Sequence, residues 1–261
     1  MEAIKIENLH FSRKQRKLFS NLTLSIPQGQ FIGLLGPNGT GKSTLLKLMA
    51  GILQALPGSN IHLLGQPLQQ LKPIEAAKLI SYMPQTTHLD ANYTVEQVVR
   101  MGRFPHKKRF SNWNDEDSIA IADALDFTGV AYLKDRLVPS LSGGERQLVY
   151  LAKAIAQETP ILLLDEPTSD LDIHHQVLVT SILHQLVAQG KTVIAAIHDI
   201  NLASRICDQC LFLKDGEILA FGRNENVVNE ENLDKTFQVK SHIYEEQFTN
   251  TKQIIPYEVQ S

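Results

Sequence analysis

The chain of 261 residues carries 25 Lys and Arg against 28 Asp and Glu, a formal net charge of −3, with 43% apolar and 20% charged residues. That composition suits one or two packed domains, excludes a disordered chain and argues against a general nucleic-acid binder, which would be basic. No apolar run approaches the ~20 residues that cross a bilayer, and the opening MEAIKIENLH lacks the charged-then-apolar order of a signal peptide, so a soluble, cytoplasmic chain is expected.

Residues 3–7 and 22–26 alternate apolar and polar, the pattern of a half-buried antiparallel sheet. Between them the basic run Arg13-Lys14-Gln15-Arg16-Lys17 reads as a solvated hairpin turn. Residues 31–35 are almost continuously apolar, as are 161–164 and 192–197, which suits strands buried on both faces of a parallel sheet. Helical periodicity follows each, over 43–53, 173–188 and 200–206, and this alternation predicts an α/β fold. Residues 86–160 break the rhythm: helical segments over 94–101, 115–127 and 142–157, with no buried strand, read as a helical insertion into the α/β core. Cys207 and Cys210 form a C-x-x-C with no second pair to complete a zinc site; at a helix–strand junction they read as small packing residues. Beyond Phe237 the chain turns polar and its pattern weakens, leaving 238–261 as a tail on a single domain, 1–261.

Gly36-Pro37-Asn38-Gly39-Thr40-Gly41-Lys42-Ser43-Thr44 fits G-x-x-x-x-G-K-[ST] directly after a strand and at the start of a helix, the context of a phosphate-binding loop. Its glycines let backbone N–H groups approach phosphate, Lys42 reaches the β- and γ-phosphates, and Ser43 binds Mg²⁺. Asp165 and Glu166 end an apolar strand that can lie beside that loop. Because strand side chains alternate faces, one carboxylate can serve the metal and the other the attacking water. Ser142, Gly143 and Gly144 open a helix with a hydroxyl and bare amides, a second anion site in the same chain.

The stretch 141–147, LSGGERQ, resembles the signature of ABC-type ATPases, and the family's other elements stand in the right order. Gln85 in Tyr82-Met83-Pro84-Gln85 matches the Q-loop glutamine, Ser169-Asp170-Leu171-Asp172 the D-loop, and His198 the switch histidine; the resemblance spans about 4–237. It implies a P-loop NTPase core of RecA-like type with an N-terminal antiparallel β subdomain and an inserted α-helical subdomain, using ATP and Mg²⁺. It also implies a head-to-tail homodimer in which Ser142, Gly143 and Gly144 contact the γ-phosphate held at the partner's Lys42. Glu166 would be the general base, Gln85 would join Ser43 and Asp165 at the metal, and His198 would hold the γ-phosphate and Glu166. One departure stands at Arg13, where the family often carries an aromatic that stacks on adenine; a guanidinium plane also stacks, and Phe11 shares the strand face.

Met101-Gly102-Arg103-Phe104-Pro105-His106 resembles the MGRxPH stretch of ATPases serving importers of iron–siderophore complexes, haem and vitamin B12, as do residues 171–176 and 198–203. Molybdate importers share much of the pattern. The resemblance implies a peripheral subunit on the cytoplasmic side of the inner (cell) membrane, with two transmembrane permease subunits, indirectly a solute-binding protein, and no nucleic acid. MGRFPH then helps form the surface that receives the permease, or is a helix end with a proline stop. His106, His174 and His175 read as surface or D-loop packing residues rather than metal ligands. A chromosome-maintenance ATPase would place a long coiled coil between P-loop and signature, and a ribosome-acting ABC protein usually has two cassettes; neither pattern is present.

Overall fold

In the computed structural model, which describes residues 1–13, 16–85, 92–107, 112–247 and 251–259, β1 (Glu2–Arg13) and β2 (Arg16–Pro27) form an antiparallel hairpin. Its pairing runs from Glu2 opposite Pro27 to Arg13 opposite Arg16, well past the segments whose alternation is evident, through several register shifts. β3 (Phe31–Leu35) leads into α1 (Lys42–Met49). β4 (Asn60–Leu63) and β5 (Gln66–Pro67) then return to the hairpin and complete a four-stranded sheet, β2-β1-β4-β5. The expected helix over 43–53 stops earlier than its apolar pattern. Gly51 takes φ +70° just past the Ala50 cap, and Ile52 is 55% exposed.

After α2 (Pro73–Leu79) and β6 (Ile80–Met83) come α3 (Val95–Arg100), α4 (Asp115–Phe127) and α5 (Gly143–Ala156). Each of these three starts on a reciprocal capping box, Thr94 with Gln97, Asn114 with Asp117 and Ser142 with Glu145, which is why their N-termini match the sequence reading. β7 (Ile161–Asp165), α6 (Ile173–Ala188), β8 (Thr192–Ala196), α7 (Ile200–Ile206), β9 (Gln209–Lys214) and β10 (Glu217–Arg223) follow. The second sheet has order β10-β9-β3-β8-β7-β6, parallel except for β10 at its edge.

This parallel sheet is covered on both faces, and the pleat sorts its side chains. Phe31, Leu35, Leu162, Leu164, Val193 and Ala195 face the core built with α3 to α6, while Ile32, Leu34, Ile161, Leu163, Ile194 and Ala196 face α1 and the antiparallel sheet. Cys207 and Cys210 are buried and unbridged, packed against bare Gly33, where a Cβ would lie 2.7 Å from the Cys207 sulfur. Burial pushes the Cys207 thiol pKa up, as befits an inert packing residue.

The MGRFPH segment splits between buried and exposed residues. Arg103 is 4% exposed, bonds Asp117 at 3.0 Å and the Ala156 carbonyl at 2.8 Å, and also reaches Glu158. His106 Nε2 meets the Gln157 carbonyl at 2.9 Å. Together they clamp the turn after α3 onto the end of α5, leaving Phe104 57% exposed against Trp113.

The expected weakly patterned tail is a hairpin. After α8 (Asn224–Val227) and α9 (Glu230–Phe237), β11 (Val239–Glu246) pairs antiparallel with β12 (Thr251–Val259). Among the described residues of β12 Ile254 alone is buried, entering the core beside α7, where Asn201 donates to its carbonyl and accepts from its N–H. One buried side chain per strand leaves too little alternation to read.

Candidate active site

The loop 36–41 leaves the C-terminal end of β3, and the ends of β6, β7 and β8 deliver Gln85, Asp165, Glu166 and His198 around it. Ligand sites of open parallel sheets lie at these strand ends. A cleft of about 910 Å³ opens there, lined by the loop and α1 residues Asn38, Gly39, Gly41, Lys42, Ser43 and Thr44, with Gln85, Glu166, Ser169, Asp170 and His198 opposite. Arg13, Arg16 and Leu18 form its outer rim. Of the run read as a solvated turn, Lys14 and Gln15 lie outside the described residues, while Arg13 and Arg16 bring two guanidinium groups to the cleft. Phe11 stands apart from this lining, half-buried against the N-terminal core.

Gly36 has to be glycine because a Cβ there would lie 2.1 Å from the Leu213 carbonyl oxygen. Gly41 caps α1 with no side-chain bond to its first turn, and no acidic residue stands in that turn, so the positive helix end is left for an anion. Lys42, only 6% exposed, donates from Nζ to the carbonyls of Gly36 at 2.6 Å and Pro37 at 3.0 Å. Burial lowers its pKa, opposed by the nearby charges of Glu166 and Asp165. An uncapped helix end, a cationic side chain folded on its own loop and glycines bare of Cβ suit a polyphosphate chain.

Asp165 is the last residue of β7 and lies on the α1 face by the same pleat that turns Ile161 and Leu163 there. It accepts from Ser43 Oγ at 2.9 Å and from the Tyr82 hydroxyl at 3.0 Å. Burial and this carboxylate push the Tyr82 pKa up. A serine hydroxyl beside a carboxylate is a hard-oxygen donor pair that fits Mg²⁺.

Glu166 departs from the expected pleat. Pairing with β8 ends at Asp165 opposite Ala196, and Glu166 takes φ +56° at the head of a turn containing Pro167. Ser169 closes that turn onto the Glu166 carbonyl through its N–H at 3.3 Å and its hydroxyl at 3.0 Å. The left-handed residue, which costs roughly 1 kcal/mol, and not strand alternation, separates the two carboxylates. The Glu166 carboxylate accepts from Gln85 Nε2 at 2.6 Å and is bonded on its other oxygen to His198 Nε2.

Ser142, Gly143 and Gly144 do not line this cleft. Ser142 caps α5, accepting from the Glu145 N–H at 3.2 Å and donating its own N–H to the Glu145 carboxylate at 2.8 Å. α5 is tied to the cleft indirectly, through Gln147 Nε2 donating to the Pro167 carbonyl at 2.9 Å. Sequence reasoning missed Tyr82, Arg16, Leu18 and Gln147 as site residues. Gln147 lies inside the LSGGERQ stretch, Tyr82 inside the segment that carries Gln85 and Arg16 inside the basic run, but none of these motifs marked them as site residues.

The ABC transporter family profile matches residues 19–169. The iron(3+)-hydroxamate import ATP-binding protein FhuC of Bacillus subtilis (strain 168) is 37% identical over 260 residues, covering 99% of this chain and 96% of its own. The ferric enterobactin transport ATP-binding protein FepC of Escherichia coli (strain K12) is 36% identical over 237 residues, 90% of this chain and 87% of that one. Of solved structures, a chain from an inward-facing ABC transporter described as of metal-chelate type superposes with a TM-score of 0.85 at 32% identity, covering 98% of both chains. A dimeric ATP-binding cassette bound to ADP and Pi gives a TM-score of 0.73 at 27% identity, over 85% of this chain and 98% of that one.

Proposed function

The chain belongs to the ATP-binding family of ABC transporters, whose members hydrolyse ATP, and on that premise we propose that it energises import of an iron–siderophore complex or a similar metal chelate. The relatives named for hydroxamate and enterobactin transport support that substrate class, and MGRFPH agrees with it. Its partners would be two permease subunits and, through them, a solute-binding protein. Among the described residues no helix is long and apolar enough to cross a membrane, so the subunit would reach the cytoplasmic face of the membrane by docking. We take 1–261 as one cassette, with 86–160 as a helical subdomain inserted in it and 238–261 as a tail.

The observation that carries the mechanism is the Glu166 carboxylate fixed between Gln85 and His198 at the mouth of the loop cleft. In this reading Lys42 exchanges its loop carbonyls for the β- and γ-phosphates of ATP, joined by the N–H groups of 36–44. Arg13 and Arg16 sit where the base and ribose emerge, and Arg13 offers a stacking plane in place of an aromatic. Mg²⁺, held by Ser43 and Asp165 with Gln85 near, would neutralise phosphate charge. Glu166 accepts the proton of the attacking water, and His198 and Gln85 hold its carboxylate in place. Ser142, Gly143 and Gly144, outside their own chain's cleft, close over the nucleotide of a second copy. Each site then needs two chains.

Replacing Glu166 with Gln tests the assignment: ATP binding should persist while turnover falls at least about 100-fold, the usual weight of a general base, and a closed dimer should accumulate. Near-normal turnover contradicts it. For the substrate class, cells producing the chain with its permease should take up labelled ferric siderophore and lose that uptake with Lys42→Ala. Uptake indifferent to the substitution contradicts that part.

A further inference from the structure

α5 and α6 begin side by side, and one side chain joins their first turns. His175 donates from Nδ1 to the Asp172 carboxylate, 2.9 Å from each oxygen, while its backbone N–H donates to the same carboxylate at 2.8 Å. These bonds hold the Asp172 pKa below its ordinary value, so the acceptor stays ionised. Two bonds to one carboxylate fix the ring, and the ring lies against Gly144. An ideal Cβ on Gly144 would come within 2.4 Å of it, so the bare glycine makes room for the imidazole. Gln147 fastens the same helix to the Pro167 carbonyl at 2.9 Å. The segment 166–172, which carries Glu166 and Asp170, is therefore anchored at both ends to α5.

We propose that His175 is a positioning residue that locks the Ser142–Gly144 end of α5 to the segment 166–172, so that engagement of a second chain's nucleotide at α5 sets the geometry of Glu166 in the first. This rests on the two-chain site proposed above and adds the residue that links its halves. The functional glycine Gly144 gains a second reason for having no side chain: it must accept the imidazole on one side. His174, exposed, packs edge-on against the His175 ring.

The test uses the full chain in the Glu166→Gln background. His175→Ala should leave the affinity for a fluorescent ATP analogue essentially unchanged, since that does not depend on the link, and lower the thermal midpoint by only a few degrees. It should raise the ATP concentration needed for dimerisation, read by size-exclusion chromatography, about two- to fivefold, the weight of an ion-pair hydrogen bond to a largely exposed carboxylate. His175→Asn, whose amide nitrogen can replace Nδ1 as donor to Asp172, should recover part of that loss, and His175→Leu none. With Glu166 restored, His175→Ala should lower kcat more than it raises KM. If Glu166→Gln alone fails to dimerise with ATP, the two-chain site falls and this inference with it. If it dimerises and His175→Ala does so equally well, or Asn recovers no more than Leu, this inference alone is overturned.

Discussion

Tyr82 stands three residues before Gln85, yet its hydroxyl serves Asp165, 83 positions along the chain, at 3.0 Å. Asp165 is 2% exposed, so its charge depends on Ser43 and Tyr82 for hydrogen bonds. Replacing Tyr82 with Phe removes a donor to a buried carboxylate and should cost about 1.5–3 kcal/mol of unfolding free energy, measurable by urea denaturation. Unchanged stability would mean that Asp165 does not rely on that bond. Lys42 and Ser43 are legible in the sequence because phosphate binding restricts both residue type and spacing, Glu166 because two carboxylates end an apolar strand, and His198 only through the resemblance to the family's switch histidine. Tyr82 is not, since its role arises only when β6 pairs with β7 and sets Met83 opposite Leu164. The turn at Glu166 is hidden for a similar reason: nothing in Asp165-Glu166-Pro167 fixes where pairing with β8 stops.

At the scale of elements, the turn after α3 is held to α5 by close packing as well as by Arg103. A Cβ on Gly102 would lie 2.2 Å from the Lys153 carbonyl oxygen, and helix backbone cannot yield as a side-chain end would. Gly102→Ala should therefore destabilise the chain by about 1–3 kcal/mol, the range of overpacking, and lower the thermal midpoint. A midpoint equal to the parent's would show that the turn can move away from α5. Arg103→Met should cost more, because it strands Asp117 without its cationic partner in the interior. The helix starts were readable because capping residues announce them locally. The end of α1 and the C-terminal hairpin were not. Ile52 continues an apolar pattern but lines a surface groove, and the β11–β12 pair buries Ile254 while leaving the apolar Ile255 and Tyr257 beside it exposed.

For the whole molecule, the parallel sheet gathers Lys42, Ser43, Gln85, Glu166 and His198 at one cleft but leaves the Ser142–Gly144 helix end outside it. The α/β layering was legible from runs of apolar residues buried on both faces; the proposed incompleteness of the site within one chain comes only through the resemblance carried by LSGGERQ. The most direct test of that incompleteness is specific ATPase activity over a dilution series, with mass measured by light scattering at each point. The two-chain site predicts activity per subunit that falls as the dimer dissociates and vanishes for the monomer. Activity per subunit that stays constant while the mass drops to that of one chain would contradict it.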